Sequence, residues 1–198
     1  QVMEEVIQPV LVEMGEAWHR GEMPISIEHF ATQFFIQHLM NMLSMASIPT
    51  RSGVIVAAGA PGETHQVGLL MLVVLLRWRG WDVRYLGPDL SMERIAEALR
   101  PLYPRILLFT ATLPTVVENL RDLPAILAEF PVQPLVVVGG QGFKLIKPDT
   151  LADLPIIHLE GRPIEIVKSI EKLMIIGSAN PESSSKTSTE QSMTISSN

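Results

Sequence analysis

The chain has 198 residues, with 15 Lys and Arg against 21 Asp and Glu, a formal net charge of −6 and no cysteine. Lack of cysteine excludes disulfides, thiolate metal sites and cysteine nucleophiles and fits a reducing cytoplasm, and the acidic balance argues against nucleic-acid binding by this stretch itself. Apolar residues make up 47% of the chain, enough for a sizeable core, while no signal peptide and no apolar run of about 20 residues is present, so a membrane is not an expected partner.

Val2, Val6, Val10 and Met14, then Ala17 and Trp18, form a stripe at helical spacing over residues 2–20. The chain thus begins at Gln1 inside a helical pattern, which reads as a fragment missing its N-terminal portion. Gly15 within that helix costs about 1 kcal/mol relative to alanine, which points to a packing or ligand reason for it. Gly21 and Pro24 end the stripe. Ser26 is the expected N-cap of a second helix, with Glu28 and His29 in its first turn and an apolar series from Phe30 and Phe34 to Met45. Two such helices cannot bury their apolar faces alone, so residues 1–50 are expected to end a helix bundle that packs on the next domain.

After Arg51-Ser52-Gly53, strand and helix patterns alternate. Strands are expected at 53–59, 81–86, 105–111, 134–138 and 155–159. The helices between them fall near 65–79, 91–100, 115–129, 142–147 and 161–175. Short apolar strands of this kind belong to a sheet covered on both sides. The expected fold is α/β, a flavodoxin-like five-stranded parallel sheet over residues 51–177, preceded by the end of the helix bundle. Residues 178–198, rich in Ser and Thr, are expected to form a flexible tail without chemistry. His38 and His158 are expected to be structural or exposed, and Trp78 and Trp81 to be packing residues.

The turn from the first strand into its helix reads Gly59-Ala60-Pro61-Gly62-Glu63-Thr64-His65-Gln66-Val67-Gly68. It lacks both the G-x-G-x-x-G spacing of dinucleotide binders and the Gly-Lys-Ser/Thr of a P-loop. Glu63 stands where its carboxylate can accept the second ring N–H of His65, fixing the tautomer and strengthening the ring as a metal ligand. Gly68 removes a side chain where something bulky can approach the helix. The same residues also fit a helix-start histidine bonded to a nearby acid. At the end of the third strand, Thr110 and Thr112 carry two hydroxyls at a spacing of two, expected on one side beside the crevice. At the end of the fourth, Gly139-Gly140 permits close approach to the backbone.

Glu63-Thr64-His65 with Gly68 resembles the corrinoid-binding signature Asp-x-His-x-x-Gly, with glutamate in the acid position. Thr110-Ala111-Thr112-Leu113 and Gly139-Gly140 match that family's Ser-x-Leu/Thr and Gly-Gly elements, threonine replacing serine. Trp18, followed after nine residues by Glu28-His29, resembles the Trp-x9-Glu-His motif of adenosylcobalamin-binding photoreceptor regulators of the CarH/LitR type in the MerR family. The resemblance runs from about residue 2 to 176. It implies that His65 is the lower axial ligand to cobalt, that Thr110, Thr112, Leu113, Gly139 and Gly140 sheathe the displaced nucleotide tail, and that Trp18, Glu28 and His29 hold the adenosyl group. It further implies that His19 can take the upper position on cobalt after photolysis. The implied protein is a non-enzymatic, homo-oligomeric light sensor in the cytoplasm, acting on DNA only through a region outside this chain. A corrinoid carrier for methyl transfer is the alternative, and an adenosylcobalamin mutase subunit a more remote one.

Overall fold

The strand-forming runs of Val, Ile, Leu and Ala pair as five parallel strands in the order β2-β1-β3-β4-β5. They are β1 (Val54–Gly59), β2 (Asp82–Gly87), β3 (Ile106–Thr110), β4 (Leu135–Gly139) and β5 (Ile156–His158), so the expected class and strand order hold. The computed structural model describes residues 3–146 and 154–176, with only the backbone given for Met3, Glu4, Gln8 and His19. The expected tail, 178–198, lies outside the described residues.

Alternation along the strands divides the core between the two faces of the sheet. Val56, Ala58, Leu107, Phe109, Val136 and Val138 face one layer, made by α4 (Met92–Leu102), α5 (Pro114–Val117), α6 (Leu123–Leu127) and α7 (Gln141–Leu145). Ile55, Ala57, Ile106, Leu108 and Val137 face the other, made by α3 (Val67–Trp78) and α8 (Pro163–Ile176). Helix α3 is apolar nearly all round because it is covered twice. Leu69, Leu72, Val73 and Leu76 meet the sheet, while Val67, Leu70, Met71 and Val74 meet Ile7 and Leu39 of the N-terminal helices. Those helices are α1 (Gln8–His19), preceded by a π-helical turn at Met3–Ile7, and α2 (Ile25–Ser44).

Three local expectations are corrected. The helix expected at 115–129 is broken into α5, a 3-10 turn at Glu118–Leu120, and α6. Pro124 sits in the first turn of α6; without an N–H it cannot donate the bond that would carry the preceding turn through, so the helix restarts there rather than continuing. Ser26 is not the N-cap of α2. Pro24 occupies that position in an extended conformation, its carbonyl accepting from Ile27 and Glu28. The inward stripe of the first helices is not Val6 and Val10, which are exposed; Ile7 is buried and Leu11 packs against it.

Side-chain bonds tie the layers. The Trp78 indole N–H donates to the Met42 carbonyl (3.1 Å), joining α3 to α2, and the buried Trp81 indole donates to Glu171 on α8 (3.1 Å). His38 bonds back to the Phe34 carbonyl on its own helix, and His158 lies against the Phe143 ring. No described helix is long and apolar enough to cross a membrane.

Candidate ligand-binding site

Parallel strands expose their carboxyl ends along one edge, where the chain turns from each strand into a helix. The β1–α3 turn places Glu63 beneath His65. Its side chain is 1% exposed, although a buried acid is costly unless bonded. One carboxylate oxygen accepts from the His65 backbone N–H (2.7 Å) and lies 2.7 Å from His65 Nδ1. The other accepts from the backbone N–H of Thr112 beyond β3. Burial works to raise the Glu63 carboxyl, but the hydrogen bonds from His65 and Thr112 outweigh it and hold it below the ordinary carboxylate range. The bond to Glu63 raises His65 above the ordinary imidazole value, against burial and with help from the Glu63 and Glu28 charges.

An acceptor-only carboxylate at Nδ1 requires the neutral ring to carry its proton there. Nε2 is thereby the nitrogen with an open lone pair, on a side chain that is 60% exposed. Above it lies a cavity of about 500 Å³ between the N-terminal helices and the edge of the sheet. Trp18, Glu28 and His29 line it from α1 and α2; His65, Gly68 and Thr112 line it from below. Glu28 is held on both oxygens, one accepting from Thr32 (2.8 Å) and the other 2.7 Å from His29 Nδ1. A second cavity of about 240 Å³ opens on the other side of Gly68, with Thr110 and Gly140 in its lining. Thr110 and Thr112 therefore serve different cavities, correcting the expectation that they share one side: β3 ends at Thr110, and the two-residue alternation ends with it.

Of the other expected site residues, Thr64 is exposed in the β1–α3 turn, Leu113 is half-exposed just before α5, and Gly139 is buried at the end of β4. None of these three lines either cavity. His19 ends α1, and its side chain lies outside the described set. Gly140 has φ +109°, and a Cβ there would lie 2.4 Å from the Ala111 carbonyl oxygen, so the turn after β4 admits only glycine. Sequence reading missed Leu11, Met14, Ile25, Thr32 and Gln66 as lining residues. Leu11, Met14, Gly15 and Trp18 share one helix face by their spacing of three and four, the signal that could have found the first two.

Two glycines leave this space open. Gly15 and Gly68 both sit in α-helices at negative φ, and a Cβ on either would meet nothing within 4 Å. Neither glycine is required by the protein's own packing, and both face the cavity. Among the described residues no group of three or more His, Cys, Asp or Glu could hold a metal ion.

The chain matches known protein families over most of its length. Two models, each described as a B12 binding domain, match residues 53–164 and 1–42. The HTH-type transcriptional repressor CarH of Myxococcus xanthus is 30% identical over 123 residues, covering 62% of this chain and 40% of that protein. Dimethylamine corrinoid protein 1 of Methanosarcina acetivorans is 21% identical over 145 residues, 71% of this chain and 68% of that protein. Among solved structures, the Methanosarcina barkeri monomethylamine corrinoid protein superposes with a TM-score of 0.61 at 18% identity, over 83% of this chain and 78% of that one. The chain thus spans well under two thirds of the repressor it matches.

Proposed function

The chain belongs to the B12 binding domain family, and on that premise we propose that it is the cobalamin-binding part of a light-responsive regulator whose chromophore is adenosylcobalamin. The observation that carries the reading is the single cavity faced by Trp18, Glu28 and His29 on one side and His65 on the other. When bound, adenosylcobalamin would supply a light-cleavable cobalt–carbon bond. His65 would hold cobalt from below through Nε2, with Glu63 fixing the ring. Trp18 would cover the upper ligand, and Glu28, steadied by Thr32 and His29, would hydrogen-bond it. Loss of that ligand would remove its packing on Trp18 and let α1 shift on α3, with His19 available to cobalt. A two-state packing of helices biased by a ligand is the physical content of a switch. The shift would be read as altered homo-oligomerisation and, through a region outside this chain, altered DNA binding. The protein itself would catalyse nothing.

The similarity to corrinoid proteins of methyl transfer supports a second reading, a corrinoid carrier, which needs His65 but not the Trp18–Glu28–His29 face. Absorption spectra with adenosylcobalamin in darkness and after green light, with gel filtration of both samples, separate the two. The sensor reading predicts a histidine-ligated spectrum that changes lastingly in light together with a change in molecular size. Binding with no light-driven change in assembly favours the carrier. His65→Ala should fold and lose the histidine-ligated spectrum; an unchanged spectrum would sink the assignment of the lower ligand.

A further inference from the structure

Resting on the cobalamin reading, we infer that Gln66 is a recognition residue for the rim of the corrin, its side-chain amide donating to a primary-amide carbonyl there, and that Tyr85 on β2 is the positioning residue that aims it. Gln66 lines the larger cavity next to His65, at the last position before α3. Polar side chains at that position commonly turn back to cap the first N–H groups of the helix; that of Gln66 does not. It is drawn the other way, where the Tyr85 hydroxyl donates to its Oε1 (3.0 Å). Tyr85 is half-buried and packs against the clusters on both faces of α3. Burial pushes its phenol up to about 12, so it stays a donor throughout the neutral range. With Oε1 held by Tyr85, the Gln66 amide nitrogen keeps both of its N–H groups and makes no hydrogen bond among the described residues.

Neighbouring donors are already committed: the Thr32 hydroxyl bonds Glu28, and the Thr112 N–H bonds Glu63. Around them the cavity is lined by Leu11, Met14, Ile25 and Val67, and by no Lys or Arg among the described residues. A corrin ring is apolar on its faces and bears primary amides on its rim. A rim carbonyl entering such a space gives up water, a loss that only a donor in the wall offsets. Gln66 supplies that donor without adding a charge. The bond from Tyr85 also decides which way the amide is turned and removes rotamer freedom before the ligand arrives. Less ordering is then left for binding to impose.

The test is equilibrium titration in darkness, followed by absorbance, with adenosylcobalamin and tail-less adenosylcobinamide. The proteins compared are wild type, Gln66→Leu, Gln66→Glu, Tyr85→Phe and the Gln66→Leu/Tyr85→Phe double variant. Gln66→Leu should weaken both corrinoids by the same factor, about three- to tenfold, because the rim is common to them. Gln66→Glu still accepts from Tyr85 but has no N–H, and should bind no better than Gln66→Leu. Tyr85→Phe should weaken binding about two- to fivefold and add nothing in the Gln66→Leu background, since it acts through Gln66. The histidine-ligated spectrum of the bound adenosylcobalamin should persist in every variant, because the contact is to the rim and not to cobalt. Wild-type affinity in a folded Gln66→Leu protein would overturn the inference. So would wild-type affinity in Gln66→Glu, which is isosteric and carries the test should the leucine variant not fold. An equal loss from Tyr85→Phe in both backgrounds would overturn the role of Tyr85. Binding of neither corrinoid by wild type would overturn the cobalamin reading, and the recognition with it.

Discussion

Gly15 and Gly68 each hold a helical position where alanine would be favoured by up to about 1 kcal/mol, with open space where the methyl would go. Gly15→Ala and Gly68→Ala should therefore leave the cofactor-free protein as stable or more stable in urea, yet weaken cobalamin binding about tenfold by overpacking. Wild-type affinity in both variants would show that the glycines do not serve the ligand. The Glu63–His65 pair gives a pH dependence whose sign is set by its shifts. Glu63 is lowered, so its contribution is present above the ordinary carboxylate value and is lost as pH falls through the folded one. His65 is raised, so its contribution is present below the ordinary imidazole value and is lost as pH rises through the folded one. The pair therefore supports the cofactor-free fold most between the two ranges, near pH 5.5. Because His65 is 60% exposed, solvent screening keeps the effect below about 1 kcal/mol. Urea melts should show His65→Ala losing more stability at pH 5.5 than at pH 8.5; the reverse order would mean the pair is not formed in solution.

At the scale of elements, α3 couples the two halves of the molecule. Its inner face completes the sheet core, and its outer face packs on the helices that roof the larger cavity. Leu39 of α2 is fully buried at that contact and lines neither cavity. Leu39→Ala should cost about 2–5 kcal/mol. It should also weaken cobalamin binding and speed amide exchange in α1 and α2 while the sheet stays protected. Protection lost uniformly across α2 and the sheet would show that the two halves unfold as one. Element type was legible wherever the apolar period was long and uninterrupted, as in α2, α3 and α8. It failed at Pro124, where the apolar pattern of 115–129 hid a proline that restarts the helix, and at Pro24, whose extended backbone took the cap expected of Ser26.

At the scale of the molecule, the proposed light-driven change in assembly would need a surface that can be exchanged. Between Glu28 and Arg51 the sequence has no Asp, Glu, Lys or Arg. On α2, Ile27, Phe30 and Phe34 stay 53%, 74% and 48% exposed while the opposite face packs on α3. Exposed aromatic and aliphatic side chains gathered on one helix face mark a surface able to meet a partner. The outward face of α2 is where a change in roof position would be felt first, which is why gel filtration belongs beside spectroscopy in the test of function.

The sequence by itself determined the α/β class, the five strands and their doubly wound order, because short apolar runs separated by helical periods have few ways to bury both faces of a sheet. It also determined that Glu63 could reach His65, since two residues apart in a tight turn leaves little freedom. Only the tertiary structure decided which distant residues meet. It set Trp18, Glu28 and His29 across one cavity from His65, sent Thr110 and Thr112 to different cavities, and left the Thr110 hydroxyl buried without a partner. Those facts depend on how α1 and α2 seat on α3 and on where β3 stops. Both are settled by packing between segments far apart in the chain, which local periodicity does not encode.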